Sequence, residues 1–90
     1  MKGPTMKKSV YDEHEQALLL SFGKRLTYLR KEKKWSQLDL SIESGFAISF
    51  LSDLEKGRRN PSLLTLHRLA STFGITVEVL LAGVDDLMPL

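Results

Sequence analysis

The sequence contains no cysteine and no long apolar run. The absence of cysteine excludes disulfide bonds, thiolate zinc sites and a cysteine nucleophile, and it fits a reducing compartment such as the cytoplasm. No apolar run exceeds four residues, as in Ala17–Leu20, whereas about 20 residues are needed to cross a bilayer. The basic start of the chain is not followed by the apolar core of a signal peptide. We therefore predict a cytoplasmic protein with no membrane span and no secretory signal.

The chain has 90 residues, of which 42% are hydrophobic and 27% are charged. This composition is typical of one globular domain and lies outside the range of disordered chains. The net charge is only +2, but ten cations and five anions lie between Lys24 and Arg68, whereas the residues after Arg68 carry only anions. The basic middle of the chain favours a polyanionic partner, although lysines that only keep the surface soluble explain the charge equally well.

Apolar residues at spacings of three and four predict helices, and no alternating pattern is long enough to pair as a strand. The first helix is predicted over residues 12–34, with Gly23 as a weak point because glycine is a poor helix former. Two short helices, over residues 37–44 and 48–56, are predicted on either side of Gly45, since glycine tolerates the left-handed conformation in which many helices end.

The rest of the chain predicts two further helices. The fourth ends at Gly74, and a short fifth helix covers residues 77–81. Five apolar residues are predicted to form the buried face of the fourth helix: Leu63, Leu66, Leu69, Ala70 and Phe73. The predicted fold is all-α, a compact five-helix domain over residues 12–82. A mobile arm over residues 1–11 precedes it, and an apolar tail over residues 83–90 follows it.

Two short helices that meet at a glycine turn, followed by a basic loop, present one helix to a major groove about 12 Å wide. Further motifs accompany this arrangement: Gly23-Lys24-Arg25-Leu26, Leu29-Arg30, Ser36-Gln37, Leu40, Leu51 to Gly57, Arg59 to Ser62, Thr65-Leu66 and Leu69-Ala70. With these motifs, residues 23–81 resemble the Cro/phage-repressor type of helix-turn-helix domain, also called lambda-repressor-like. The resemblance implies a sequence-specific regulator of transcription that binds double-stranded DNA.

The resemblance implies that the third helix reads the bases. The residues at the family's base-contacting positions are Ile48, Ser49, Ser52 and Asp53. Ile48 can pack on a thymine methyl group, the serines can donate or accept, and Asp53 can accept from the amino group of cytosine. A solvated helix surface explains the serines and Asp53 without DNA, and packing in the core or the turn explains Ile48.

The resemblance also implies phosphate contacts, which fix the docking register without reading sequence. The matched residues are Gln37, Lys56, Arg58, Arg59 and Asn60. Gln37 lies at the start of the second helix, where the helix dipole favours an anion, whereas the others form a loop that is otherwise only solvated. Arg30 and Glu55 match a pair that forms a partly buried salt bridge between the first and third helices, and its role is structural.

The entry to the third helix departs from the family's pattern. Ala47 stands where the family usually has a serine or threonine cap, at a cost of roughly 1 kcal/mol, and Phe46 is larger than the usual valine. Together with Ile48 these residues make the entry apolar. Base recognition is therefore expected to depend on methyl contacts or on DNA shape.

The end of the chain is predicted to form a homodimer. Family members commonly bind two half-sites about 34 Å apart as two-fold dimers, and the chain ends in seven apolar residues that one short helix does not bury: Val79, Leu80, Leu81, Val84, Leu87, Met88 and Leu90. Residues 17–20 are a second candidate contributor. The alternative is that the tail folds back over its own core.

Two other classes of function fit the sequence less well. An enzyme requires titratable groups within reach of each other, but His14 and His67 lie in different helices, no acidic cluster has metal-ligand spacing and no glycine-rich phosphate loop is present. We predict no catalysis, no cofactor and no metal. The stronger alternative is an antitoxin-type module whose main partner is a protein toxin, with DNA binding secondary.

Overall fold

The computed structural model describes residues 10–85, and within this range the chain forms five α-helices and no strand. The helices are α1 (Glu13–Glu32), α2 (Gln37–Ser44), α3 (Ile48–Glu55), α4 (Leu63–Phe73) and α5 (Val77–Leu80). The predicted all-α class and the order of the five helices are confirmed. Most of the predicted arm and the last five residues of the predicted tail lie outside the described residues.

Side chains cap the first two helices as their sequences favour. Asp12 accepts from the backbone N of Glu15 at 2.8 Å, and the Glu15 side chain accepts from the backbone N of Asp12 at 3.0 Å. Ser36 and Asp39 form the same reciprocal capping box at the start of α2. Each box pairs two backbone N–H groups that the helix itself leaves unpaired, so both helices begin at a defined residue.

The turn between α2 and α3 depends on glycine and on two serines. Gly45 has a φ of +81°, the left-handed conformation that ends α2. Ala47 provides no side-chain cap for α3. Instead, the turn is held through the backbone of Phe46, whose carbonyl accepts from the Ser41 hydroxyl at 2.6 Å and whose N–H donates to the Ser44 hydroxyl at 3.2 Å. These bonds set the angle at which α3 leaves the turn.

Gly23 is the point at which α1 crosses the end of α3, and α1 continues through it without a break. It is buried, and a Cβ atom built on it would lie 2.6 Å from the carbonyl oxygen of Leu54 and closer still to that of Glu55. Gly23 was predicted to weaken α1, but the helix is not interrupted there. The absence of a side chain allows two helix backbones to approach more closely than alanine would permit.

Among the described residues, all five helices contribute to one core. It consists of ten buried residues: Phe22, Leu26, Leu40, Leu51, Leu54, Leu69, Ala70, Phe73, Leu80 and Val84. Leu63 was predicted to belong to it and does not, because its side chain is 73% exposed. It lies in the first turn of α4, about 75° around the helix from the centre of the buried stripe. The neighbouring Leu64 is 77% exposed.

The short helix α5 packs against α4 and is hydrogen-bonded to α1. The guanidinium of Arg25 donates from Nε to the carbonyl of Leu80 at 3.2 Å and from Nη2 to that of Val79 at 2.8 Å. Leu80 and Val84 are buried in the core of their own chain, so they are not available for a dimer interface as predicted. Of the residues predicted for that interface, Val79 is 45% exposed, while Leu87, Met88 and Leu90 lie outside the described residues.

Candidate nucleic-acid interface

The exposed face of α3 carries the residues predicted to read bases. Leu51 and Leu54 are fully buried and fix the helix to the core. Because successive residues of a helix are about 100° apart, Ser49 and Ser52 lie on the opposite side. Ser49 is exposed, Ser52 is half-buried, and Ile48 at the edge of this face is 44% exposed. The polar face of α3 is therefore open to a ligand.

A buried ion pair joins this helix to α1. The guanidinium of Arg30 meets the carboxylate of Glu55 in a bidentate arrangement, with Nε 2.7 Å from Oε2 and Nη2 3.0 Å from Oε1. The side chains are only 11% and 7% exposed. Nη1 of Arg30 also donates to the carbonyl of Trp35 at 2.8 Å. The predicted pair is thus present, and it also holds the segment that leads into α2.

Gln37 completes this buried network, which the sequence did not indicate. Its Nε2 donates to Oε1 of Glu55 at 3.0 Å, so the side chain predicted to contact a phosphate is tied to the end of α3. Only the second hydrogen of Nε2 and the backbone N–H groups at the start of α2 remain as donors. The carboxylate of Asp39 lies in the same first turn and competes with a phosphate for the positive end of the helix dipole.

The network also determines the charge of its members. Burial raises the pKa of the Glu55 carboxyl, but hydrogen bonds from Arg30 and Gln37 and the positive charge of Arg30 outweigh burial, and the pKa falls below its usual value. The hydrogen bond to Glu55 raises the pKa of Arg30, although burial opposes it. Both residues are therefore charged at neutral pH, and every buried side-chain N or O atom within residues 10–85 has a hydrogen-bond partner.

The loop after α3 carries the cations predicted to bind phosphate. Lys56 and Arg58 are exposed, and neither forms an ion pair with another described residue. The backbone N of Arg58 donates to the carbonyl of Asp53 at 2.8 Å, which folds the loop back against the end of α3. Both cations therefore directly follow α3, where they line a surface depression together with residues at the start of α1, and they are exposed to an anion.

Arg59 and Asp53 were predicted to have separate roles, but the structure pairs them. Nε of Arg59 lies 3.5 Å from Oδ2 of Asp53, and the side chains are 55% and 37% exposed. The guanidinium also lies over the ring of Phe50, 5.4 Å from its centroid. Phe50 packs against Phe46 with 5.2 Å between centroids, and Arg68 covers Phe46 at 5.0 Å. These contacts between side chains could not be predicted from the sequence.

Asn60 points away from this cluster. Its Nδ2 donates to the hydroxyl of Tyr11 at 3.3 Å, so it contacts the residue just before α1. Its side chain is therefore directed toward the segment that leads into α1.

No helix in the described part of the chain is both long and apolar enough to cross a membrane.

Residues 37–55 form a short helix, a left-handed glycine turn and a second helix with an open polar face, and exposed cations follow them. This arrangement defines an all-α helix-turn-helix protein. The chain belongs to the Helix-turn-helix domain family, whose model matches residues 23–86. The first ten residues of α1, 13–22, precede this match.

Relatives of this chain are regulators of transcription and of restriction–modification. The HTH-type transcriptional regulator DdrOP3 of Deinococcus deserti is 51% identical over 61 residues, which are 68% of this chain and 47% of that protein. The immunity repressor protein of Bacillus phage phi105 is 38% identical over 61 residues, 68% of this chain and 42% of the repressor. This chain therefore spans less than half the length of either relative.

A similar solved structure is that of the restriction–modification controller protein C.AhdI from Aeromonas hydrophila. It is 39% identical, covers 69% of this chain and 94% of its own, and has a TM-score of 0.66. The similarity extends over nearly the whole of that solved chain.

Proposed function

We propose that this protein is a sequence-specific regulator of transcription, of the repressor or restriction–modification controller type, that binds double-stranded DNA. The observation that carries the proposal is the open polar face of α3, which is followed directly by Lys56 and Arg58, two exposed cations that form no ion pair with a described residue. An α-helix with its outer face free fits the major groove, and cations at its edge neutralise phosphates. The similarity to a phage repressor and to a controller protein supports this function.

The proposed contacts fall into two groups. Ile48, Ser49 and Ser52 are proposed to face the base edges from the exposed face of α3, as a recognition helix does in the groove. Four further residues are proposed to contact phosphates, which hold the protein in register: Gln37, Lys56, Arg58 and Arg59. Asn60 is left out of this group because its side chain donates to the hydroxyl of Tyr11. The tie between Gln37 and Glu55 supports this division, because it fixes the start of α2 to the end of α3.

We test this function by the salt dependence and sequence preference of duplex binding. Sequences are first selected from random duplex DNA, and affinity is then measured between about 50 and 200 mM salt. Arg58→Ala is expected to weaken all sequences about equally and to reduce the slope of log K against log salt by about 0.9. Lys31→Ala, the same charge change at the end of α1, is the matched control and leaves the slope unchanged.

Ser49→Ala is expected to change which sequences are selected and to leave the salt slope unaltered, since Ser49 faces base edges and carries no charge. If Arg58→Ala changed base preference while general affinity stayed intact, the assignment of the two groups would be wrong. If no DNA duplex bound with salt-dependent affinity, the result would contradict the proposed function.

We further propose that the protein acts as a homodimer on a two-fold operator. One recognition helix contacts only a few base pairs. A dimer places two such helices on two half-sites about one helical turn apart, which doubles the number of contacted base pairs. Val79 is the exposed apolar residue of α5 that can contribute to the interface. Sedimentation at high micromolar concentration is expected to show a dimer, and a monomer alone would contradict this part of the proposal.

The proposed role is binding rather than catalysis, and the cytoplasm is the proposed compartment. A protein partner of the antitoxin type gains no support from the three relatives described, which are a transcriptional regulator, an immunity repressor and a controller protein. DNA is therefore the proposed primary partner.

A further inference from the structure

Arg59 is held against α3 from two directions although it belongs to the loop behind that helix. Asp53 approaches its Nε at 3.5 Å, and the ring of Phe50 lies under the guanidinium at 5.4 Å. Phe50 is itself packed against Phe46. The outer nitrogens of Arg59, Nη1 and Nη2, make no hydrogen bond to any described residue. The guanidinium is thus restricted at one edge and open at the other.

Restriction of this kind favours binding. A free arginine side chain loses conformational freedom when it binds a phosphate, whereas a side chain already held near its bound position loses less. The fork formed by Nη1 and Nη2 matches two phosphate oxygens. Arg59 therefore presents a preformed phosphate-binding group at the edge of α3, and Asp53 and Phe50 are the residues that hold it there.

Asp53 is poorly placed to read a base in this arrangement. Its carboxylate lies beside a cation of its own chain, and accepting from cytosine would require it to leave that partner. As an anion facing DNA it also repels phosphates. This repulsion weakens DNA binding unless Asp53 also strengthens the contact of Arg59 with a phosphate.

We propose that Asp53 is a positioning residue: it holds Arg59 against Phe50 for phosphate binding and does not read a base. This inference rests on the proposed DNA-binding function. It makes a prediction opposite in sign to simple electrostatics, because removing an anion from a DNA-binding face normally strengthens binding.

The test is Asp53→Asn in two backgrounds, measured on a selected duplex of about 30 base pairs, which accommodates two half-sites one turn apart. With Arg59 present, the substitution is expected to weaken binding about two- to five-fold, the range typical of an exposed ion pair. In an Arg59→Ala background the same substitution is expected to strengthen binding, because no side chain remains to be positioned and only the repulsion is removed. This reversal of sign is a readout that a purely structural residue would not produce.

Two further readouts accompany the affinities. Asp53→Asn is expected to lower the salt slope toward that of Arg59→Ala, by up to about 0.9 for one lost phosphate contact. It is also expected to select the same sequences as the wild type. The melting midpoint of each variant is measured to show that every protein compared is folded, and the exposed position of both side chains makes this the expected result.

Three outcomes would overturn the inference: unchanged or tighter binding of Asp53→Asn when Arg59 is present, an equal effect in both backgrounds, or a changed base preference at one operator position. The last outcome would assign Asp53 to base reading. A wild-type protein without salt-dependent affinity for duplex DNA would refute the proposed function and this inference together, so the two failures are distinguishable.

Discussion

Two carboxylate–arginine pairs lie two residues apart on α3 and differ in almost every physical respect. The pair of Glu55 with Arg30 is bidentate, with its shortest contact at 2.7 Å, and is almost completely buried. The pair of Asp53 with Arg59 has one contact at 3.5 Å and is open to solvent. The buried pair stabilises the fold, whereas the exposed pair can be replaced by contacts with a ligand. The difference between the two pairs is their burial.

The largest expected effect is the loss of one partner of the buried pair. Glu55→Ala leaves the charge of Arg30 buried without a partner and also removes the acceptor of Gln37, so we expect a loss of about 3–5 kcal/mol in the free energy of unfolding. Thermal denaturation measures it, with Glu43→Ala on the exposed face of α2 as the control. A melting midpoint equal to that of the wild type would show that the buried pair does not hold the fold.

Gly23→Ala is expected to loosen the helix crossing beside the buried pair. The new methyl group would lie 2.6 Å from the carbonyl of Leu54, and overpacking of this kind costs about 1–3 kcal/mol. Alanine's better helix propensity, worth roughly 1 kcal/mol, acts in the opposite direction. We expect a net loss of stability by thermal denaturation. Lys24→Ala, at the exposed next position of α1, is the control, and a gain at Gly23 would show that α1 and α3 can separate freely.

Acid is expected to weaken the buried pair. The pKa of Glu55 lies below its usual value in the folded protein, so the unfolded chain binds the proton more readily and the pair's contribution to stability is lost as the pH falls from about 4.3 downward. Glu55→Gln lacks this titration. The stability difference between wild type and Glu55→Gln is therefore expected to shrink between about pH 5 and pH 3, and a difference independent of pH in urea titrations would contradict the assignment.

The smallest expected effect concerns the exposed pair. Asp53→Asn and Arg59→Ala are each expected to change the free energy of unfolding by less than about 1 kcal/mol, because an exposed ion pair contributes little. For a domain of this size that corresponds to a shift of the melting midpoint below about 4–8 °C. A larger loss at either position would show that the exposed pair belongs to the structural framework and would remove the contrast with the buried pair.

The sequence predicts the helices well where short-range interactions set them. The bounds of α2 agree with its prediction because Ser36, Asp39 and Gly45 act within one turn of the residues they cap. The prediction was wrong where burial depends on distant elements. Leu63 fits the spacing of three and four residues, yet it lies at the edge of the buried stripe in the first turn of α4, where its side chain is 73% exposed.

The candidate site shows the same limit. The positions on α3 and in the basic loop follow from the resemblance to a known family, but their pairing does not. Gln37 and Glu55 are 18 residues apart and belong to different helices. The sequence shows that Asp53 and Arg59 are both present, but α3 ends between them, and the path of the loop determines whether they meet.

By itself the sequence determined an all-α chain, its helix ends, its glycine turn and its basic middle, because capping, helical periodicity and charge act over a few neighbouring residues. Only the tertiary structure decided that Gly23 is a helix crossing, that Val84 is buried and that Gln37 is tied to Glu55. These facts depend on elements brought together from distant parts of the chain, and their geometry follows from how whole helix faces pack.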